Sequence, residues 1–239
     1  MGNIVPMSGP ELDIGEIVEP IGQLRYPFHR DLDKVRQTIA RLAATVTEDI
    51  LRATDILLTQ DLDEAERMIV ADDEFDATCV DLEQRCYLLL ALQAPVASDL
   101  REIVAALRII AEVERSADLA VNVCKSARRL YGHSLPPPIR GLIHRMGAQA
   151  SRLFREASEA YLLSDAVRAA AIPDMDDLLD DLQRQFVAAI FDTPDGIDLP
   201  TAVQLAMLAR FYERIGDHAV TIGERVTYLV TGAFRKHRG

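Results

Sequence analysis

Apolar side chains recur every three or four residues along most of this chain, which is the spacing of one face of an α-helix. The first series begins at Phe28 and continues through Leu32, Val35, Ile39, Leu42, Val46, Ile50 and Ala53. It predicts a long first helix. The preceding residues, 1–27, are rich in glycine and proline without helical spacing, and we predict that they form a poorly ordered extension.

Capping and helix-breaking residues divide the rest of the chain into five further helices. Asp61 is followed by acidic residues and a new apolar series, which is the pattern of a helix N-cap. Pro95 suits the first turn of a third helix, and a proline-rich stretch near the middle of the chain separates two halves. Gly232 is expected to cap the last helix. The predicted helices after the first cover about 62–92, 95–130, 139–163, 174–191 and 199–230.

The two halves of the chain repeat each other. Segment 114–121 aligns with segment 213–220 at an offset of 99, and the second helix of each half aligns at an offset of 100. The third and sixth helices are apolar on several faces, so each is expected to be central to its bundle. We therefore predict an all-α fold of two tandem three-helix bundles, six helices with an internal repeat of about 100 residues. The predicted ranges are 1–27 for the extension, 28–131 for the first bundle, 132–138 for a linker, 139–232 for the second bundle and 233–239 for a basic tail.

Each repeated motif carries two acidic residues four positions apart within an apolar stripe. These are Glu114 with Asp118 in the first half and Glu213 with Asp217 in the second. Two carboxylates on one helical face repel each other, so a positive partner is expected beside them. That partner is either a bound metal cation or an arginine from a neighbouring helix in a buried Arg–carboxylate network.

The second helix of the first half has a matching acid pair, Asp72 with Asp76. In the second half, Ile172 stands where the first acid is expected, and the substitutes are Asp176 with Asp180, or else the pair formed by their next neighbours in sequence, 177 and 181. All-oxygen donors suit Mg, Mn, Ca or ferric iron better than structural zinc. A ferritin-like di-iron site is excluded because the chain has no Glu-x-x-His spacing.

The composition of the chain argues against several classes of partner and location. The net charge of −12 argues against a nucleic-acid partner and against an anionic membrane surface. No apolar run approaches the roughly 20 residues of a transmembrane helix, and no signal-peptide pattern opens the chain, so a cytoplasmic location without membrane insertion is expected. The three cysteines lack metal-knuckle spacing and are interpreted as reduced core thiols.

No catalytic constellation emerges from the sequence. The chain has no nucleophile elbow and no phosphate-binding glycine loop, which indicates a protein that is not an enzyme. His218 projects about 100° or more away from Glu213 and Asp217 on the helical wheel, so we expect a packing or solvated role for it.

Two long segments resemble signatures of a known family. The segment from Leu90 to Asp118 resembles the first-repeat signature of the PhoU family of phosphate-transport regulators. The segment from Leu208 to Gly232 resembles the C-terminal signature of that family almost residue for residue. The departures are Ser116-Ala117 in place of the usual Ile-Gly, Ile172 in the second-half acid pair, and the long leader.

The resemblance implies a fold, a ligand class and a role. It implies paired three-helix bundles, a homodimer, and carboxylate motifs that bind metal ions, with iron, manganese, magnesium or zinc as candidates. The motifs carried over are Asp72 with Asp76, Glu114 with Asp118 and Glu213 with Asp217, and the spacing adds Asp176 with Asp180.

The implied role is that of a negative regulator of the phosphate-starvation response. Such a protein would couple the ATPase subunit of a phosphate ABC transporter to a phosphate-sensing histidine kinase. Two alternatives stay open from the residues: a carboxylate-rich metalloprotein used in metal storage or redox chemistry, and a bare helical scaffold.

Overall fold

Six helices make up nearly all of the chain in a computed structural model that describes residues 14–193 and 196–233, with side chains from residue 27 onward. The helices are α1 (Ile14–Thr59), α2 (Leu62–Gln93), α3 (Ala97–Arg129), α4 (Pro137–Leu163), α5 (Ala166–Phe191) and α6 (Leu199–Thr231). The described ranges contain no β-strand. The predicted all-α fold with six helices in two triplets is confirmed.

Local capping chemistry explains where the helices start and stop. The Asp61 carboxylate accepts a hydrogen bond from the Glu64 amide at 3.0 Å and so opens α2 as predicted. Asp198 opens α6 in the same way through the Thr201 amide, also at 3.0 Å. Gly232 closes α6 with φ +71°, a left-handed conformation that glycine adopts without strain.

Two predicted helix starts are wrong. α5 begins at Ala166 and not near residue 174, because Asp165 caps it through the amides of residues 167 and 168. Pro173 lies inside this helix and removes one backbone donor, which leaves the carbonyl of Ala169 without its helical partner. That carbonyl faces Gly223 of α6, where a Cβ atom would be 3.1 Å from the oxygen, so the missing side chain makes room for it.

The first helix also starts earlier than predicted, at Ile14 and not at residue 28. Prolines 20 and 27 each remove one helical hydrogen bond without ending the helix. Once the long amphipathic segment after residue 28 has formed, each added residue contributes one hydrogen bond, so the helix extends past both prolines. Residues 14–27 are therefore part of α1, the order of the predicted extension stays a prediction, and residues 1–13 and the tail at 234–239 lie outside the described residues.

The helices pack as two triplets that share one core. α3 packs closely on both α1 and α2, which touch each other much less, so α3 is central to its triplet as predicted. In the second triplet α4, α5 and α6 pack on one another to similar extents, so the predicted central position of α6 is not seen. The triplets also meet each other through α1 against α4 and α3 against α6. Buried apolar residues from all six helices form a single continuous cluster.

Polar contacts cross between the triplets within this core. The buried hydroxyl groups of Thr54 in α1 and Tyr212 in α6 are 2.8 Å apart. Ser151 of α4 donates a hydrogen bond to the Thr47 carbonyl of α1 at 2.9 Å. Close approach of α4 to α1 requires Gly147, since a Cβ atom there would lie 2.8 Å from Cγ2 of Thr54. The two repeats are therefore joined by buried polar contacts as well as by the apolar core.

Two further expectations concern the cysteines and the membrane. All three cysteines are buried and unpaired, and burial raises the pKa of the Cys86 thiol to about 11 and of the Cys79 thiol to about 12. They are core thiols, as predicted. Within the described ranges, no helix is both long enough and apolar enough to cross a bilayer.

Candidate metal centres

The packing of α2 against α3 brings the first set of predicted acids together. Asp72 and Asp76 face Glu114 and Asp118 across this contact, and the charges of the facing residues act on one another. We call these four residues the first carboxylate cluster. The sequence predicted all four, because the i,i+4 spacing of each pair fixes a common helical face.

The first cluster has raised proton affinity. Burial, together with the charges of Asp76 and Asp118, raises the pKa of Asp72 to about 6 from an ordinary 3.8. Burial followed by the charge of Asp118 raises the pKa of Asp76, and burial followed by the charge of Asp76 raises that of Glu114. These shifts show that the negative charges are poorly compensated.

Basic side chains act on the first cluster only through longer-range charge, from Lys125 on Asp72 and from Arg115 on Glu114. Among the described residues, no lysine, arginine or histidine forms an ion pair with any of its four acids, and Arg115 instead lies 3.4 Å from Glu112. Oδ1 of Asp76 is buried and accepts no hydrogen bond. A buried Arg–carboxylate network, the alternative considered from the sequence, therefore does not account for this cluster.

A second carboxylate cluster forms where α5 packs on α6. It consists of Asp176 and Asp180 from α5 with Glu213 and Asp217 from α6. Burial and the charges of Asp180 and Asp217 raise the pKa of Asp176 to about 7. Burial, followed by the charge of Glu213, also raises the pKa values of Asp180 and Asp217.

The structure chooses between the two acid pairs that the sequence left open in α5. The charges of the α6 acids act on Asp176 and on Asp180, whereas Asp181 forms an ion pair with Arg184, so we assign the first pair to the cluster. Ile172, which replaces the first acid of the pattern, is fully buried and packs close to Gly223. The second cluster is therefore assembled one turn later along α5 than the first cluster is along α2.

The two clusters differ in their neighbours. Glu213 forms an ion pair with Arg210 and accepts a hydrogen bond from Nε2 of Gln183 at 2.9 Å. The first cluster has neither contact. The Arg210 ion pair is a feature that the sequence reasoning missed, although the i,i+3 spacing of residues 210 and 213 is the signal for it.

The donor chemistry of both clusters fits a hard cation. Four carboxylates supply oxygen ligands of the kind that Mg²⁺, Mn²⁺ and ferric iron prefer, and no described basic side chain forms an ion pair with the first cluster. Across the described ranges, no three His, Cys, Asp or Glu side chains already converge closely enough to hold a metal ion. A cation placed among the carboxylates of either cluster would offset their mutual repulsion.

A buried hydrogen bond lies between the two clusters. Nδ1 of His218 in α6 is 2.5 Å from Oε2 of Glu112 in α3, and both side chains are nearly buried. Burial alone would raise the pKa of Glu112, but the hydrogen bond and charge of His218, followed by the charge of Arg115, outweigh it and lower the pKa. Of the two roles expected for His218, the packing role is confirmed and the solvated role is wrong, because the side chain is buried. The internal repeat carried a signal for this packing role, because the residue equivalent to His218 in the first repeat is the apolar Leu119.

A family model and several relatives match the sequence of this chain. The model described as the PhoU domain matches twice, over residues 39–127 and 143–226. A "Phosphate-specific transport system accessory protein PhoU homolog 2" of Mycobacterium tuberculosis (strain ATCC 25618 / H37Rv) is 37% identical over 212 residues, which cover 88% of this chain and 100% of the relative. A "PhoU homolog 1" of Mycobacterium leprae is 35% identical over 88% of this chain and 96% of its own length.

Solved structures resemble the whole fold. The phosphate transport system regulatory protein PhoU from Streptococcus pneumoniae superimposes with a TM-score of 0.81 at 26% identity, covering 88% of this chain and 100% of that one. PhoU from Pseudomonas aeruginosa gives a TM-score of 0.78 at 27% identity, with 86% and 100% coverage.

Proposed function

The chain belongs to the PhoU family, and from this membership we propose that it is a non-enzymatic regulator of phosphate uptake and phosphate-starvation signalling. The observation that carries the proposal is the double family match, one in each repeat. The relatives are named as accessory proteins of the phosphate-specific transport system, and they align with this chain over most of its length.

In the full form of this proposal, the protein is a cytoplasmic homodimer that represses the phosphate-starvation response when phosphate is plentiful. It would contact the ATPase subunit of a phosphate ABC transporter and a phosphate-sensing histidine kinase. The acidic net charge supports protein partners with basic surfaces over nucleic acid.

Gene deletion tests the role directly. We expect phosphate-scavenging genes to be expressed in phosphate-rich medium after deletion, and re-expression of the intact chain to silence them. Transcript levels before and after deletion provide the measurement. Unchanged expression in a strain without a second copy of the gene would refute the regulatory role.

We propose further that the two carboxylate clusters bind hard metal cations, with iron, manganese and magnesium favoured over zinc. Asp72, Asp76, Glu114 and Asp118 would hold one site. Asp176, Asp180, Glu213 and Asp217 would hold the other. A bound cation would neutralise the carboxylates and so clamp α2 to α3 and α5 to α6. The first cluster supports this proposal, because none of its acids forms an ion pair with a described residue and Oδ1 of Asp76 is buried without a hydrogen-bond partner.

Measuring the metal content of variants tests whether the first cluster binds metal or is an ordinary acidic surface. After dialysis against chelator and reloading with Mn²⁺, we expect elemental analysis to find less metal in Asp76→Asn than in the parent. The matched control is Asp81→Asn, an exposed acid on the same helix outside the cluster. Equal metal content in both variants and the parent would contradict the proposed site.

Metal storage or redox chemistry is the second candidate function, and the two all-carboxylate clusters are the observation that favours it. When it is purified from cells without an affinity tag, a storage protein should still contain metal in stoichiometric amounts. A regulator that uses metal only as a clamp should exchange it readily. The bare scaffold predicts that Glu213→Ala and Asp217→Ala lower stability without altering metal content.

A further inference from the structure

An apolar groove lies between α1 and α2, at the end of this helical hairpin farthest from its turn. Near the turn, the ion pair of Arg52 with Glu64 joins the two helices. Along their whole length, α1 and α2 touch each other less than any other neighbouring pair of helices, and they leave a cavity of about 320 Å³ between them. We call this cavity the α1–α2 groove. Its apolar lining consists of Val35 from α1 with Leu82, Leu88, Leu89 and Leu92 from α2.

The leucines of the groove are exposed in a graded way. Val35 and Leu82 are buried and form the floor, where the groove meets the core. Leu88 and Leu92 lie one helical turn apart at the opening, and 58% and 75% of these two side chains are exposed. Folding therefore leaves two adjacent leucines in water, and covering them with apolar partner atoms would be favourable.

The second repeat has no such leucines at the equivalent positions. At the offset of 100 that relates α2 to α5, Leu88 corresponds to Ala188 and Leu92 corresponds to Asp192. α4 and α5 also pack on each other much more closely than α1 and α2 do. The helical triplet consequently forms without leucines at these positions, so the groove is a specific feature of the first repeat.

Basic side chains predominate at the rim of the groove. Lys34 lies 2.9 Å from Asp31, and its hydrogen bond outweighs burial and, with the charges of Lys34, Arg30 and Arg85, lowers the pKa of Asp31. Arg85 is exposed and forms no ion pair with a described residue, although Asp81 lies one turn before it. Three cations against two acids give the rim a positive charge, in a chain whose net charge is −12.

The size and position of the groove indicate the kind of occupant. A volume of about 320 Å³ is at the small end of cavities that enclose a whole small molecule, and here the opening leaves Leu88 and Leu92 in solvent. The groove therefore suits a few side chains of a larger partner. α3 already packs on α1 and α2 from the other side, so a further helix laid along the opening would repeat the packing that the fold uses.

We propose that the α1–α2 groove binds an amphipathic helix of another protein, one that inserts leucine or isoleucine side chains between α1 and α2 and places Asp or Glu residues beside Lys34 and Arg85. Anchors at i, i+3 or i+4, and i+7 suit a groove between two helices. The apolar contacts provide affinity, and the basic rim selects acidic helices over basic ones. This docking site goes beyond the proposed function and depends neither on the phosphate role nor on the carboxylate clusters.

Synthetic peptides test the proposed chemistry of the partner. The probe is a fluorescently labelled helical peptide with leucines on one face and glutamates on both sides of that face, and its anisotropy is measured as the full chain is added. One comparison peptide has lysines in place of the glutamates, and another has the same residues in scrambled order. We expect each to bind on the order of tenfold more weakly than the glutamate peptide.

Variants of the full chain locate the binding site. Leu92→Asp should weaken binding of the glutamate peptide on the order of tenfold, and Arg85→Glu should weaken the glutamate peptide while strengthening the lysine peptide. Both side chains are exposed, so thermal denaturation should show an unchanged fold. Phe191→Asp and Arg108→Glu, which alter an exposed apolar residue and an exposed arginine outside the groove, are the matched controls.

The outcomes either support or overturn the groove. Tighter binding of the glutamate peptide, together with the reversed preference of Arg85→Glu, supports it. Absence of binding below about 1 mM overturns it, including the case in which residues 1–13 or a second copy of the chain fill the groove. Equal binding of the scrambled peptide, or binding that ignores both Leu92→Asp and Arg85→Glu, overturns it as well. None of these results bears on phosphate-gene expression, so failure here is distinct from failure of the regulatory role.

Discussion

A carboxyl group held near other carboxylates in a partly buried position binds its proton more tightly than it does in water. Asp72 and Asp176 illustrate this, with pKa values of about 6 and about 7 against an ordinary 3.8. At pH values between the ordinary 3.8 and these raised values, the two carboxyl groups hold protons in the folded chain that they release in the unfolded chain. The stability that these groups contribute is therefore fully present below about pH 4 and is lost as pH rises through 6 and 7.

Because the pKa values of these acids are raised in the folded chain, the free energy of unfolding depends on pH. For chelator-treated protein, we expect the free energy of unfolding to fall between about pH 4 and pH 7, because Asp72 and Asp176 become charged in the folded chain over this range. The double variant Asp72→Asn with Asp176→Asn should flatten this fall and gain on the order of 1 kcal/mol at pH 8, after allowance for solvent screening. Urea titrations across the pH range provide the measurement.

Asp81→Asn is the control for this titration, since it removes an exposed acid outside both clusters. Added Mn²⁺ should also flatten the pH profile of the parent while leaving the double variant unchanged. A parent profile that is already flat would contradict the account of the clusters.

Glycines in two helices give a matched test of close packing at the residue scale. A Cβ atom at Gly216 would fall against the Asp176 carboxylate and within 2.8 Å of Leu179 Cδ2. We expect Gly216→Ala to cost about 1–3 kcal/mol. Gly141→Ala, which meets nothing within 4 Å, should instead stabilise by about 0.5–1 kcal/mol through helix propensity. Thermal denaturation compares the two, and equal effects would rule out a packing role for Gly216.

At the scale of the elements, a buried hydrogen bond between Glu112 and His218 joins α3 to α6. Glu112 also forms an ion pair with Arg115, Nε2 of His218 has no hydrogen-bond partner, and the residue equivalent to His218 in the first repeat is Leu119. A buried charged pair loses much stability when only one partner is removed, because the other remains desolvated.

His218→Leu should therefore destabilise the protein by about 2–4 kcal/mol. The double variant with Glu112→Leu should recover much of that loss, since two apolar side chains leave no unpaired charge. Denaturant unfolding of the two variants and the parent measures the coupling between the residues. Additive losses in the double variant would show that the bridge does not hold α3 to α6.

Elements whose signals are local could be predicted from the sequence. The N-cap of α2 at Asp61 and the carboxylate pairs each depend on residues within one helical turn, so their spacing was sufficient. The start of α5 was missed although Asp165 carries the same capping signal as Asp61, and Pro173 lies inside the helix that Asp165 opens. The partner of His218 lies 106 residues away, and only the packing of the repeats brings it near.

Across the whole molecule, one apolar core joins both repeats. The contacts of α1 with α4 and of α3 with α6 bury surface that neither triplet could leave exposed. We expect a single cooperative unfolding transition, with circular dichroism and tyrosine fluorescence changing together.

A chain cut at the linker provides the corresponding control. Residues 1–131 alone would expose the faces of α1 and α3 that the second repeat covers, and we expect this fragment to aggregate or to unfold without cooperativity. A fragment that melts as sharply as the full chain would show that the repeats are independent domains.

α3 and α6 run in opposite directions, since Glu112 meets His218 while Arg101 lies beside Gly232, and this contact has an evolutionary consequence. Two similar halves that meet through equivalent helices have the layout of a symmetric pair of short chains, and here a linker makes them one polypeptide. A symmetric ancestor would have to carry every polar bridge twice, once on each side of its axis. Fusion removes that constraint, so the covalent chain can carry one histidine where its duplicate keeps a leucine. The fused gene was thus free to specialise each half separately.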